Sequence, residues 1–148
     1  MKLGTRASGV FRVYHGTDAQ FTKFSLDFAG RPSMSGNGHL GIWVAATCDL
    51  SKNFGQYSLV VHMQVCTAYR MPIDELSAMN RHCQKHAGDD PEKLALFERS
   101  YYTDFRKKLV ATGHDTIFVV EQDGRIAMAI ALDPSNLVIA QVLHAAAA

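Results

Sequence analysis

The sequence carries almost no net charge: 15 lysines and arginines stand against 14 aspartates and glutamates, leaving +1 with the histidines neutral. Surfaces that hold nucleic acid or an anionic membrane normally show clustered positive charge, so this balance argues against both partners. Cysteine is also scarce. Cys48, Cys66 and Cys83 are too few and too irregularly spaced for a disulfide framework, and they read as reduced thiols of a cytoplasmic protein. Long apolar runs are missing too. No stretch approaches the ~20 residues of a membrane span. Nor does a run of signal-peptide length follow Met1 to Arg6. No repeat or low-complexity linker divides the 148 residues, so residues 1–148 are expected to form a single domain with a packed core.

What is present is a succession of short periodic segments. Val10 to His15 alternates in β fashion and predicts a strand. Asp18 to Phe28 is turn-rich, with Phe21, Phe24, Leu26 and Phe28 expected in the core. Ala29 to Leu40, with Gly30, Pro32, Gly36 and Gly38, reads as an exposed, mobile loop. A strand over Gly41–Ala45 follows, then a brief helix capped by Thr47 or Asp49, running through Phe54 and closed by Gly55. Tyr57 to Val65 is a clear strand.

Two helices occupy the middle. The first spans Ile73–His86, with Asp74 and Glu75 at its favourable N-terminal end. The second opens on Asp89-Asp90-Pro91, carries an apolar stripe of Leu94, Phe97, Tyr101, Phe105 and Leu109, and ends at Gly113. Strands return at Thr116–Val120, Ile126–Leu132 and Leu137–Leu143, the first two joined by the turn Gln122-Asp123-Gly124. Strands at both ends with helices between them predict an α+β fold.

Two segments are candidates for chemistry. Tyr14-His15-Gly16-Thr17 ends the first strand. There His15 offers a ring nitrogen, Gly16 permits close approach to the backbone, and Thr17 adds a hydroxyl. The alternative is a strand-end histidine beside a turn. Gly38-His39-Leu40-Gly41-Ile42-Trp43-Val44-Ala45 runs small residues into a strand with one large aromatic, suited to stacking on a flat heterocycle or to filling the core.

In this order, followed by the short helix Asp49-Leu50-Ser51-Lys52-Asn53-Phe54, the two segments resemble the ADP-ribosyltransferase superfamily. The likeness is greatest to its poly-ADP-ribose-polymerase-like branch and to small bacterial and phage transferases with a Tyr-His-Gly-Thr start. It extends in scattered motifs from Val13 to Asp133. It implies a split β-sandwich with helices inserted between the N- and C-terminal strands, holding NAD⁺ as co-substrate. His15 would anchor the adenosine ribose, the backbone at Gly16 the nicotinamide amide, and Trp43 the ring. Thr17, Gly41 and Ser51 would complete the cofactor site. The implied activity is mono-ADP-ribosylation of a protein acceptor by a bacterial or phage effector or toxin, cytoplasmic or delivered into a target cell.

One position departs from the family. Ala127-Met128-Ala129-Ile130-Ala131-Leu132-Asp133 matches the last motif, but Met128 stands where a glutamate polarises the acceptor. A thioether is no general base. Three readings stay open: mono-transfer aided by an acidic group of the substrate, a replacement carboxylate from Glu121 or Asp123, or an inactive binding module on the same fold.

Other signals are weaker. His82, Cys83 and His86 share a helix, yet the glutamate that follows the first histidine in zinc-protease helices is absent, so a solvated face is expected and no metal. Arg106-Lys107-Lys108 reads as a solvated basic run near a helix end. No motif surrounds Cys48 that would make it a hydrolase nucleophile paired with His15.

Overall fold

The computed structural model describes residues 2–4, 6–19, 21–26 and 36–144. Phe28 and the part of the expected loop before Gly36 lie outside the described residues. Among these residues seven strands form one sheet: β1 (Gly9–Thr17), β2 (Ile42–Ala45), β3 (Tyr57–Val65), β4 (Ala68–Pro72), β5 (Thr116–Val120), β6 (Ile126–Ala131) and β7 (Leu137–His144). Among the described residues three helices, α1 (Cys48–Ser51), α2 (Ile73–Ala87) and α3 (Pro91–Ala111), complete the α+β arrangement.

The strand order is β4-β5-β6-β2-β1-β3-β7. All pairs are antiparallel except β4 with β5. β1 and β3 stay in register from Gly9↔Val65 to Thr17↔Tyr57. Between β1 and β2 the ladder shrinks to one position, Tyr14↔Ala45. The sheet therefore consists of two halves, β4-β5-β6-β2 and β1-β3-β7, joined at a seam.

Alternation along the strands decides what each half buries. Phe11 and Val13 of β1, Leu59, Val61 and Met63 of β3, Ile42 and Val44 of β2 and Phe118 of β5 share one buried cluster. β1 and β5 are three steps apart in the order, about 14 Å in a flat sheet at ~4.8 Å per step. Yet the Phe11 and Phe118 rings meet edge to face at 5.9 Å. The sheet curls across the seam, and both halves close on one core.

The opposite face of the first half holds a second cluster. Met71, Ile117, Val119 and Ile130 from the strands, with Leu132 just past β6, meet Leu76, Met79, Cys83, Tyr102 and Leu109 from α2 and α3. Each such aliphatic or aromatic side chain contributes about 1.5–3 kcal/mol when fully buried. The Tyr102 hydroxyl, carried into this core, donates to the Asn80 side-chain oxygen.

Local signals set the boundaries. Asp90 caps α3, its carboxylate accepting from the Glu92 and Lys93 amides at 3.0 and 3.3 Å, with Pro91 in the first turn. Thr47 caps α1 through the Leu50 amide at 3.2 Å, and a 3-10 turn, Lys52–Phe54, continues it. Gly36–Leu40, within the expected loop, is also a 3-10 turn.

β4 was not expected. It is fastened by Asp115, whose carboxylate accepts from the Cys66 and Thr67 amides at 2.9 and 3.1 Å, tying the β3–β4 turn to the start of β5. Asp115→Ala removes both acceptors. We expect a fall of about 1–3 kcal/mol in unfolding free energy by urea titration, and an unchanged midpoint would refute this role.

Candidate functional site

Past Tyr14, β1 runs on without a paired position on β2, and a side chain takes over the joint. His15 Nδ1 lies 2.7 Å from the Trp43 carbonyl oxygen. A carbonyl only accepts, so Nδ1 carries the proton, and the neutral ring keeps Nε2 as an acceptor. The ring is partly buried, in edge-to-face contact with Phe24 and Phe21 at centroid distances of 5.0 and 6.1 Å. Burial pushes the His15 pKa below its usual value, outweighing the opposite pull of the Trp43 carbonyl. The imidazole is therefore neutral at physiological pH, with its tautomer fixed.

The next residue has no room for a side chain. A Cβ on Gly16 would collide with the Ser51 carbonyl oxygen and lie 2.9 Å from the Phe54 Cβ. The short helical segment thus rests directly on the backbone of β1. Ser51 is fully buried, and its hydroxyl donates to the Cys48 carbonyl at 2.7 Å. Its remaining contact, with Ser58 Oγ at 2.7 Å, then has Ser58 as the donor. Ser51 knits α1 to β3 rather than presenting a free hydroxyl. Thr17 is similarly engaged, accepting from the Ala19 amide at 3.1 Å. Gly41 fits at the start of β2 because a Cβ there would strike the Ala131 carbonyl.

Trp43 turns the other way. Ile42 and Val44 enter the core shared with β1, whereas Trp43 packs on the helical cluster and its indole N–H donates to the Asn37 carbonyl at 3.1 Å. Imidazole and indole therefore lie on opposite faces of β2, linked only through the Trp43 carbonyl. The aromatic ring beside Gly16 is instead Phe54, 56% exposed. In the sequence Phe54 reads only as the end of a helix. An apolar ring three residues after Ser51 and just before a glycine was the signal available.

The acidic candidates are scattered. Met128 pairs with Ala45 of β2 and Val119 of β5, and its side chain packs against the helical cluster. Glu121 sits at the β5–β6 turn, its amide donating to the Arg125 carbonyl at 2.8 Å, and β5 is three strands from β1. Asp123 is engaged by Arg125, through the amide at 3.0 Å and Nε at 2.6 Å, which lowers its pKa.

His82 and His86 are exposed on α2 and lie against Phe97 and Tyr101 of α3, while Cys83 turns into the core. Among the described residues no group of three His, Cys, Asp or Glu could hold a metal ion. Nor, among them, is any helix long and apolar enough to cross a membrane.

No protein-family model matches the chain, and no curated protein matches it. Among solved structures, the crystal structure of an anti-CRISPR protein is similar over 93% of this chain and 98% of that chain, with a TM-score of 0.48 and 10% identity.

The depressed His15 pKa sets a sign for pH dependence. Its contribution is fully present above the ordinary value of 6.5 and is lost as pH falls from there through the lower folded-state value. His39 is shifted in the same direction, so a difference isolates His15. His15→Gln retains an N–H for the Trp43 carbonyl but does not titrate. We expect wild-type unfolding free energy to decline more steeply than that of His15→Gln between pH 7 and 5, and equal slopes would count against the neutral seam.

Proposed function

We propose that this chain transfers a single ADP-ribose from NAD⁺ to a protein acceptor, on an ADP-ribosyltransferase-like split β-sandwich. The observation that carries this reading is the convergence at the end of β1. There neutral His15, with Nε2 as an acceptor, is followed directly by Gly16, whose backbone is met by the segment that ends in the exposed Phe54. These come from the motifs that resemble the superfamily, and they suit a ribose hydroxyl, a carboxamide and a flat heterocycle in turn. In this reading a ribose hydroxyl donates to His15 Nε2, the amide of nicotinamide pairs with the Gly16 backbone, and Phe54 covers the ring. Trp43 contributes its carbonyl, which orients His15.

The chemistry asks little of the protein beyond positioning. The bond between the ribose carbon and the nicotinamide nitrogen breaks, its electron pair leaving with neutral nicotinamide. An acceptor nucleophile then attacks the cationic carbon and gives up its proton. Met128 can neither take that proton nor stabilise the cation, so a carboxylate of the acceptor or Glu121 would do so, and transfer stops at one unit. A second reading, an NAD⁺-binding module without catalysis, is favoured by the packing of Met128 away from the His15 side.

Transfer of labelled ADP-ribose into lysate protein, with parallel measurement of NAD⁺ binding and nicotinamide release, separates the two. We expect a discrete labelled band that His15→Ala abolishes. Phe54→Ala should weaken NAD⁺ binding about tenfold, the scale of one stacked ring, with little change in Tm. Loss of label in Glu121→Gln would assign it the base, whereas retention leaves that role to the acceptor. NAD⁺ binding without label or nicotinamide would favour the binding module, and absence of NAD⁺ binding would refute both readings.

A further inference from the structure

Where α2 and α3 meet at the surface, aromatic rings form the contact. His86 lies over Phe97 with ring centroids 3.9 Å apart and planes 18° from parallel. Phe97 continues the stack to Tyr101 at 5.7 Å and 20°. His82, one turn before His86, leans on Tyr101 at 5.2 Å and on Phe97 at 5.8 Å. Both histidines are exposed all the same, so α3 holds each ring while solvent still reaches it.

Spacing alone carries little, because two histidines four apart on a helix commonly belong to a solvated face. The structure adds an open hollow of about 320 Å³ lined by His82, Lys85 and His86. Residues four apart on a helix have Cβ atoms about 5–6 Å from each other, which lets two imidazoles share one ion. Stacking on Phe97 and Tyr101 restricts both rings in advance, so less freedom is lost when a ligand binds. Cys83 turns into the core and leaves the hollow to nitrogen ligands. The helix ends at Ala87, and the unpaired carbonyls of its last turn favour a cation there.

We propose that His82 and His86 form a two-imidazole site for a divalent transition-metal ion of the zinc, nickel or copper class. Imidazole suits these ions, whereas magnesium and calcium take oxygen ligands. The chain supplies two ligands, in keeping with the absence of any group of three among the described residues, and water completes the coordination. Lys85 shares the wall, and its ammonium repels a cation. It stands exposed on a flexible stem, so it opposes the ion without blocking the hollow. The site is separate from the one proposed for NAD⁺. His15 lies against Phe24 of the other core, and α2 and α3 cover the second cluster.

The test is titration of Zn²⁺ into the full chain, with Mg²⁺ at matched ionic strength as control. The readout is the NMR signals of the histidine rings. We expect saturable shifts at His82 and His86 with Zn²⁺ and none with Mg²⁺. His82→Gln and His86→Gln should each weaken binding at least about tenfold, because either one removes the shared grip. Both side chains are exposed, so two independent variants keep the test available should one fail to fold. Lys85→Gln should bind Zn²⁺ as tightly or more tightly, whereas weaker binding would mark an anion site and overturn the proposal. Binding must persist in His15→Ala, which separates this site from any NAD⁺ site. Unchanged affinity in both histidine variants would also overturn it. So would Zn²⁺ uptake at Cys48, Cys66 or another histidine with the His82 and His86 rings unmoved.

Discussion

Between β1 and β2 the backbone ladder keeps a single paired position, and just beyond it the His15 imidazole holds the Trp43 carbonyl at 2.7 Å. In an ordinary sheet, neighbouring strands are joined by a row of amide–carbonyl bonds that hold them nearly coplanar. A side chain in that place permits a sharp change of direction. That freedom lets β1-β3-β7 curl toward the other half, until Phe11 reaches Phe118 from three strands away. The bond holds in this form only while the ring is neutral with its proton on Nδ1, and Phe21 and Phe24 enforce neutrality by keeping water from it.

The same seam shapes the end of β1. Because β2 does not continue the ladder, Gly16 is met by the α1 segment instead, and that segment brings Phe54 into solvent beside it. Under the reading proposed above, Phe54 and the Gly16 backbone are the surface that meets the nicotinamide.

Much of this was legible in the sequence wherever the determinant was local. Tyr57–Val65 is apolar and β-branched enough through Leu59, Val60 and Val61 that its predicted and observed ends coincide, and Asp90-Pro91 marks the start of α3 by capping alone. β4 escaped because Ala68-Tyr69-Arg70-Met71-Pro72 has no clean alternation, and its partner β5 is more than 40 residues away in a parallel pairing. The side chosen by Trp43 was illegible for a related reason. Period two says that Trp43 opposes Ile42 and Val44 but not which face holds which core, since that depends on the helices packed later in the chain. His15 was identifiable as a candidate, whereas its bond to a backbone carbonyl 28 residues away was not.

Met128 shows how a position can follow the fold while departing from the chemistry. Tyr14, Ala45, Met128 and Val119 form one row across β1, β2, β6 and β5. Alternation sends Met128 toward the helical cluster, where an unbranched thioether fills space among larger side chains. A carboxylate in that place would be drawn into an apolar layer unless the strand twisted it toward the seam, and burial would favour its protonated form. An apolar residue there therefore benefits the core.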